Sequence, residues 1–230
     1  MKIDTQLLQT DEKSLFKGFP EARILSELEY AGYTLHCYMP GEYLVRQGEP
    51  CRRITILLEG TARSEITDIS GRFIELENIA PPRAIGLYTL FAQKHNYYPA
   101  DIIAQKMANT LEISKEGIET LMERTSMFRQ NILTCLSEYL MMWIDKLVFL
   151  SCKTIRQKIA YYLLKQQQSQ GGQTLEIGCS QQELSEQFGV SRSALAREVS
   201  QLEREKLIKR ERRQITILNQ EQLQAIVWGI

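Results

Sequence analysis

The chain has no long apolar run. Its longest unbroken stretch is the six residues Tyr139–Ile144, closed by Asp145 and Lys146. A bilayer-spanning helix needs roughly 20. The opening segment Met1-Lys2-Ile3-Asp4-Thr5-Gln6 has no apolar signal core. A cytoplasmic location and no membrane partner are therefore expected. Histidine is scarce: His36 and His95 are the only two, and no His-x-His pair exists. That is too few for the metal triad of a cupin-like barrel enzyme. The five cysteines, Cys37, Cys51, Cys135, Cys152 and Cys179, form no Cys-x-x-Cys element. Zinc and iron–sulfur sites show close, paired ligands, so no metal site is expected. The odd count also speaks against a disulfide framework, and most of the five read as small buried hydrophobes. No Walker A or Gly-x-Gly-x-x-Gly element occurs. With no Ser/His/Asp set to nominate either, no catalytic residue is assigned and an enzyme is not expected.

What is present is ordinary globular composition: 230 residues, 43% hydrophobic and 24% charged, a length that suits two modest domains or one large one. Charge is unevenly spread. Residues 1–150 carry 16 Lys+Arg against 20 Asp+Glu, whereas residues 151–230 carry 12 against 8. An acidic front and a basic back hint at a polyanion partner for the C-terminal part, although the excess is small.

From about Tyr33 to Ile113 the pattern is short and β-like. Thr34–Tyr38, Ile54–Leu58, Ala62–Ile66 and Phe73–Glu77 have strand length. Pro40-Gly41, Gly48-Glu49-Pro50, Glu59-Gly60, Ser70-Gly71 and Pro81-Pro82 punctuate them. Such spacing suggests a small barrel or sandwich, with helices before it (Ile24–Ala31) and after it (Lys115–Arg124). The period then changes. No Gly or Pro occurs from Ser126 to Leu150, and Leu133, Leu136, Leu140, Trp143, Leu147 and Leu150 repeat at spacings of three and four. That heptad stripe fits a dimer seam, or else one buried helix of a larger domain. Ile132, Cys135, Tyr139 and Met142 make a second apolar stripe beside it. From Ser151 a new unit begins: an amphipathic helix carrying Ile155, Ile159, Tyr162 and Leu163, a polar loop Gln166–Gln173, and a short strand Thr174–Ile177. The expected domains are 1–125, 126–150 and 151–230.

The most specific signal lies in Ser180–Leu202. Ser180-Gln181-Gln182-Glu183 is a capping box. Leu184 and Phe188 face inward, Gly189 supplies a left-handed turn, and Ser191 can cap a second helix whose Leu195, Val199 and Leu202 face inward. The opposite face presents Arg192, Ser193, Ala196, Arg197 and Ser200, which suit a major groove. An αα-hairpin of an unrelated helical domain is the bland alternative. Glu198 sits where such motifs often carry an aliphatic residue, so its packing is a question. Downstream, Leu207-Ile208 and Ile215-Thr216-Ile217 read as two strands around a basic tip. Lys209, Arg210, Arg212 and Arg213 would then lie near phosphates as a wing, or simply form a solvated hairpin.

These pieces, in this order, resemble the CRP/FNR family of bacterial transcription regulators. The resemblance is strongest in Ser180–Ile217 and in Pro40–Glu49, which looks like the opening of a cyclic-nucleotide-binding-type β-roll. Ile56–Gly60 looks like the roll's next strand and turn, and Phe149–Arg156 like the hinge before the DNA-binding domain. The resemblance implies an α+β fold: an N-terminal β-roll (jelly-roll-like) sensor, a long dimerisation helix and a C-terminal winged helix-turn-helix. It also implies a homodimer on double-stranded DNA with an inverted-repeat operator, contacted additionally through Gln181, Gln182 and Ser191. RNA polymerase is an implied partner.

The resemblance breaks in the sensor. Cyclic-nucleotide binders use a Gly-Glu-Leu element for the ribose and an Arg-Ser/Thr pair for the phosphate. Here Ile85–Phe91 holds no Glu and Asn96–Ala100 no Arg. A buried phosphate without a cation is unfavourable, so cAMP is not expected. Gly86, Leu87, Tyr88, Phe91, Tyr97, Tyr98 and Tyr139 suggest an apolar pocket for an unknown small-molecule effector, or only filling for the roll. The N-terminal cysteine cluster of the family's oxygen-sensing branch is absent. His95 is the candidate axial ligand were haem present, but a lone loop His is usually just solvated, so no cofactor is assigned. An effector-independent, chromosome-organising DNA-binding protein is the alternative function.

Overall fold

Turn residues spaced about every ten positions cut the first half of the chain into short strands. A computed structural model describes residues 5–9, 14–67 and 71–229. Ser70, in one of the expected turns, lies outside them, as does the opening Met1–Asp4. The chain divides into two compact units, Met1–Met141 and Met142–Ile230.

In the first unit, α1 (Glu21–Ala31) leads into β1 (Tyr33–Tyr38), β2 (Tyr43–Val45), β3 (Arg53–Glu59), β4 (Ala62–Thr67), β5 (Phe73–Ile79) and β6 (Arg83–Ile85). One turn of helix, α2 (Leu87–Leu90), precedes β7 (Asp101–Ala104) and β8 (Ala108–Ser114). The strands form two antiparallel four-stranded sheets, ordered β1-β8-β3-β6 and β2-β7-β4-β5. Ile54, Ile56, Leu111 and Ile113 of the first sheet join Val45, Ala62, Ile102 and Ala104 of the second in one buried core. All four expected strands and both flanking helices are present. The shorter β2, β6 and β7 carry too few residues to show an alternation of their own. Behind the roll, α3 (Lys115–Arg124) meets α1 through Arg124 Nε, which donates to Glu27 Oε2 at 3.0 Å.

Next comes α4 (Ser126–Ser151), 26 residues long, within which the two units divide. Phe128, Ile132 and Cys135 are its buried face, and the Phe128 ring lies 5.4 Å from that of Phe16. The other stripe stands out of the fold: Leu133, Leu140, Leu147 and Leu150 are 59%, 61%, 64% and 76% exposed. Leu136 and Trp143 are half-buried.

The second unit holds α5 (Ile155–Gln170), β9 (Thr174–Glu176), α6 (Gln181–Phe188), α7 (Arg192–Arg204), β10 (Ile208–Glu211), β11 (Gln214–Ile217) and α8 (Gln220–Trp228). A three-stranded sheet, β10-β11-β9, closes it. Its core is Ile159, Leu163, Leu175, Leu184, Phe188, Leu195, Leu202, Ile217 and Leu223 with their neighbours. One expectation needs correcting: Gln166–Gln170 is helix, not loop. Glutamine is a good helix former, and α5 runs on until Gly171 ends it in a left-handed conformation. The final helix α8 is a further element, beyond those expected from the sequence.

Candidate nucleic-acid interface

The second unit places two crossed helices and a hairpin side by side. Ser180 caps α6 by accepting from the Glu183 backbone N–H at 3.2 Å, and the Glu183 carboxylate accepts from the Ser180 N–H at 2.7 Å. These hydrogen bonds hold the Glu183 carboxyl below the usual carboxylate range. At the far end Gly189 has φ +66°, a conformation costly for residues with a Cβ. Ser185 is buried and accepts from the Val190 N–H through its carbonyl at 3.0 Å. That bond fixes the turn into α7, where Ser191 accepts from the Ala194 N–H at 3.2 Å. Leu195, Val199 and Leu202 face the core. Arg192, Ser193 and Arg197 are exposed, and Ala196 and Ser200 are half-buried. Ala196, Arg197 and Ser200 line one shallow groove together with Glu198, Gln201 and Arg204.

The hairpin is a two-residue turn. Glu211 pairs with Gln214, so Arg212 and Arg213 form the tip, Arg212 at φ +52°. Lys209 and Arg210 therefore lie in strand β10 rather than in the tip itself. Lys209 Nζ sits 2.5 Å from Glu211 Oε1, which partly neutralises its charge within the hairpin. Gln181, Arg210, Arg212 and Arg213 converge on a groove of about 300 Å³ between hairpin, α6 and α7. Gln182 stands apart, exposed and bonded to Glu186 at 2.6 Å. Thus most of the expected contact residues share two adjoining surfaces of one unit.

Two groups that hold α7 are not evident from the sequence. Glu203 Oε1 accepts from the Arg210 backbone N–H at 2.9 Å, tying helix to hairpin. Arg156, in the first turn of α5, reaches both Glu198, midway along α7, and Glu205, the residue just past its end. That answers the question of Glu198: it is half-buried because it has an ion-pair partner.

In the roll, the effector-pocket candidates are not all gathered at one place. Gly86 starts α2 at φ +87°, and a Cβ there would meet Cys51 Sγ at 3.0 Å and Arg53 O at 3.1 Å. Leu87 and Tyr98 are buried in the core. The Tyr98 hydroxyl donates to Arg53 O at 3.2 Å, and burial pushes its phenol up. Tyr88 instead stacks on Tyr139 of α4, with centroids 4.8 Å apart and rings within 7° of parallel. Arg83 lies 4.9 Å over the Tyr139 ring and 3.3 Å from Glu77. Phe91 and Tyr97 are exposed. His95 is exposed, and its Nδ1 lies 3.0 Å from the Tyr97 hydroxyl. Among the described residues, no three His, Cys, Asp or Glu gather as a metal site, and no helix is long and apolar enough to cross a membrane.

Residues 157–226 match the model of the Crp-like helix-turn-helix domain, and residues 35–125 that of the cyclic nucleotide-binding domain. Together the two matches, in this order, support a regulator of the CRP/FNR type. A curated relative, the transcriptional activator protein anr of Pseudomonas aeruginosa, is 23% identical over 195 residues, covering 82% of this chain and 78% of that protein. The crystal structure of the Thermus thermophilus catabolite activator protein has the same fold. It aligns at a TM-score of 0.53 and 23% identity, covering 94% of this chain and 98% of that one. A CooA mutant from Carboxydothermus hydrogenoformans aligns at 0.55 and 14%, covering 89% and 90%. The α+β family architecture expected from the sequence, with β-roll, long helix and C-terminal helix-turn-helix, is the one observed. The family assignment points to a DNA-binding regulator and not to an enzyme.

Proposed function

We propose that this regulator binds double-stranded DNA as a homodimer, reads an inverted repeat, and answers to a small-molecule effector other than cAMP. The observation that carries the reading is the exposed Arg192–Ser193–Arg197 face of α7, held by capped helix ends beside the arginine-tipped hairpin. An α-helix of this composition fits the major groove, and the hairpin arginines fit phosphates. The leucine stripe of α4 supplies the second-copy seam: four leucines more than half exposed along one helix are apolar area that water disfavours. Leu133, Leu136, Leu140, Trp143, Leu147 and Leu150 form that seam, so the dimerisation helix is assigned to 126–150, between a sensor at 1–125 and a DNA-binding domain at 151–230.

The missing Glu in Ile85–Phe91 and the missing Arg in Asn96–Ala100 argue against cAMP. The effector's chemistry is then apolar or aromatic, received near Leu87, Tyr88 and Tyr139. The test is a binding selection on randomised duplexes, followed by footprinting. A two-fold repeat with half-sites about one DNA turn, some 34 Å, apart is expected. Uniform coverage of any duplex would instead favour a chromosome-organising role.

A further inference from the structure

We propose that Arg156 is a positioning residue for base reading: its guanidinium ties the first turn of α5 to Glu198 and Glu205, and so sets the angle at which α7 presents Arg192, Ser193 and Arg197. The proposal rests on the DNA-binding reading given above.

Three observations carry it. The first is geometry. Arg156 Nη1 donates to Glu198 Oε1 at 3.3 Å and to Glu205 Oε1 at 3.2 Å, while Nη2 pairs with Glu205 Oε2. Glu198 and Glu205 are seven residues apart, about two helical turns, so they share a face. One planar fork spans both, which a lysine ammonium, a point charge, would not do. Gln201 Nε2 donates to Glu205 Oε1 at 2.7 Å and holds the second carboxylate in place.

The second is the location of the cation. No acidic residue stands in the first turn of α5, and Arg156 puts a positive charge at the positive end of the helix dipole. That placement opposes helix stability by itself. The carboxylates of α7 offset it.

The third is the location of the anion. Glu198 follows Arg197 directly and lines the same surface groove as Arg197 and Ser200. A free carboxylate there would repel phosphates. Paired with Arg156, with side chains 29% and 30% exposed, it is neutralised and turned to a mechanical use. Since Glu203 holds the hairpin to the same helix, α7 is braced on both sides by its own acids.

The experiment uses the full chain and four variants: Arg156→Gln, Glu198→Gln, both together, and Arg156→Lys. Each is read by binding selection on randomised duplexes, at two salt concentrations, and by thermal unfolding. The positioning role predicts that each single Gln variant lowers the ratio of specific to non-specific affinity about tenfold, and that the double variant is no worse than either. Arg156→Lys recovers part of the loss. Glu198→Gln is the decisive arm. It removes a negative charge, so simple electrostatics would tighten binding to every duplex. Tighter binding with unchanged base preference overturns the proposal. So does a uniform, salt-sensitive loss in Arg156→Gln alone, which would mark Arg156 as a phosphate ligand. Loss that tracks a lowered unfolding midpoint equally on all duplexes marks a purely structural role and overturns it as well. A wild-type chain that selects no sequence overturns both this proposal and the DNA-binding reading, whereas failure of the variants alone leaves that reading standing.

Discussion

The ring of Phe149, in the last turn of α4, lies 5.3 Å from that of Phe188, the last residue of α6. Phe188 immediately precedes Gly189, so α4 ends against the turn that aims α7. Lys158 reinforces the contact: its ammonium donates to the Phe188 carbonyl at 2.7 Å and lies 5.4 Å over the Phe149 ring. Asp145 adds a second tie, accepting from the Tyr161 hydroxyl at 3.0 Å and pairing with Lys165 Nζ at 2.6 Å. The end of the long helix is therefore tied by side chains to α5 and to the turn before α7.

Phe149→Ala removes that ring pair. Truncating a half-buried aromatic that packs on Phe188, Tyr161 and Lys158 costs about 1–3 kcal/mol, below the full core value. Denaturant unfolding of the full chain should show this loss. If stability is unchanged but DNA affinity falls, the ring acts on the turn's orientation rather than on the fold.

The seam on α4 is tested by Leu140→Glu with Leu147→Glu. Both positions are more than 60% exposed in the single chain, so the monomer fold should survive. Two charges in a symmetric interface are placed beside their own copies and desolvated. Sedimentation equilibrium should report a monomer. A persistent dimer would move the interface elsewhere.

Calorimetry addresses the effector. With millimolar cAMP the wild-type chain should give no saturable heat. A micromolar isotherm would require the carboxylate that Ile85–Phe91 lacks and the cation that Asn96–Ala100 lacks.

Acid should weaken the Arg156 brace. Arg156 beside Glu205, with Gln201, holds that carboxyl below its ordinary range. A carboxyl depressed in the folded state adds stability above its unfolded value, and that contribution is lost as pH falls through the folded value. The unfolding midpoint of Glu205→Gln should therefore lie below that of the wild type at pH 7. The two should converge on acidification below the carboxylate range. A gap independent of pH would mean the pair contributes packing and not charge.

How much of this was legible in the sequence follows from how local each feature is. Ser180, Glu183, Gly189 and Ser191 act within four residues of themselves, so caps and turn can be read directly. The same holds for the α4 stripe, which is a single-helix period. Glutamines mislead at Gln166–Gln170, where polarity suggests loop although no residue there breaks a helix. In α8 the signals exist, Asn219 as N-cap and Gly229 as C-cap, but four glutamines and glutamates in its first five residues mask the short apolar stretch. The Arg156–Glu198 pair cannot be read at all. Its partners stand 42 residues apart, and only the packing of α5 on α7 joins them. Tyr88 and Tyr139 are a similar case: both have the character of pocket residues, but nothing in the spacing indicates that one stacks on the other.

Reading of bases and holding of phosphates should separate in two substitutions. Arg197 is exposed on the face of α7 that carries Ser193 and Ser200, where a guanidinium can reach a guanine edge. A bidentate contact of that kind carries about 1–3 kcal/mol of discrimination. Arg213 lies at the hairpin tip, on a turn whose neighbour Arg212 has φ +52°, and supplies charge without a fixed base partner. Arg197→Ala should relax preference at one symmetric base pair in each half-site while leaving the salt dependence nearly as it was. Arg213→Ala should weaken all duplexes alike. It should also flatten the slope of log affinity against log salt, by up to about one unit for each phosphate that a subunit no longer neutralises. Selections on randomised operators at several salt concentrations measure both quantities on the same samples. Should Arg197→Ala keep the base preference, the register of α7 in the groove is not the one described, and Arg192 becomes the residue to replace next.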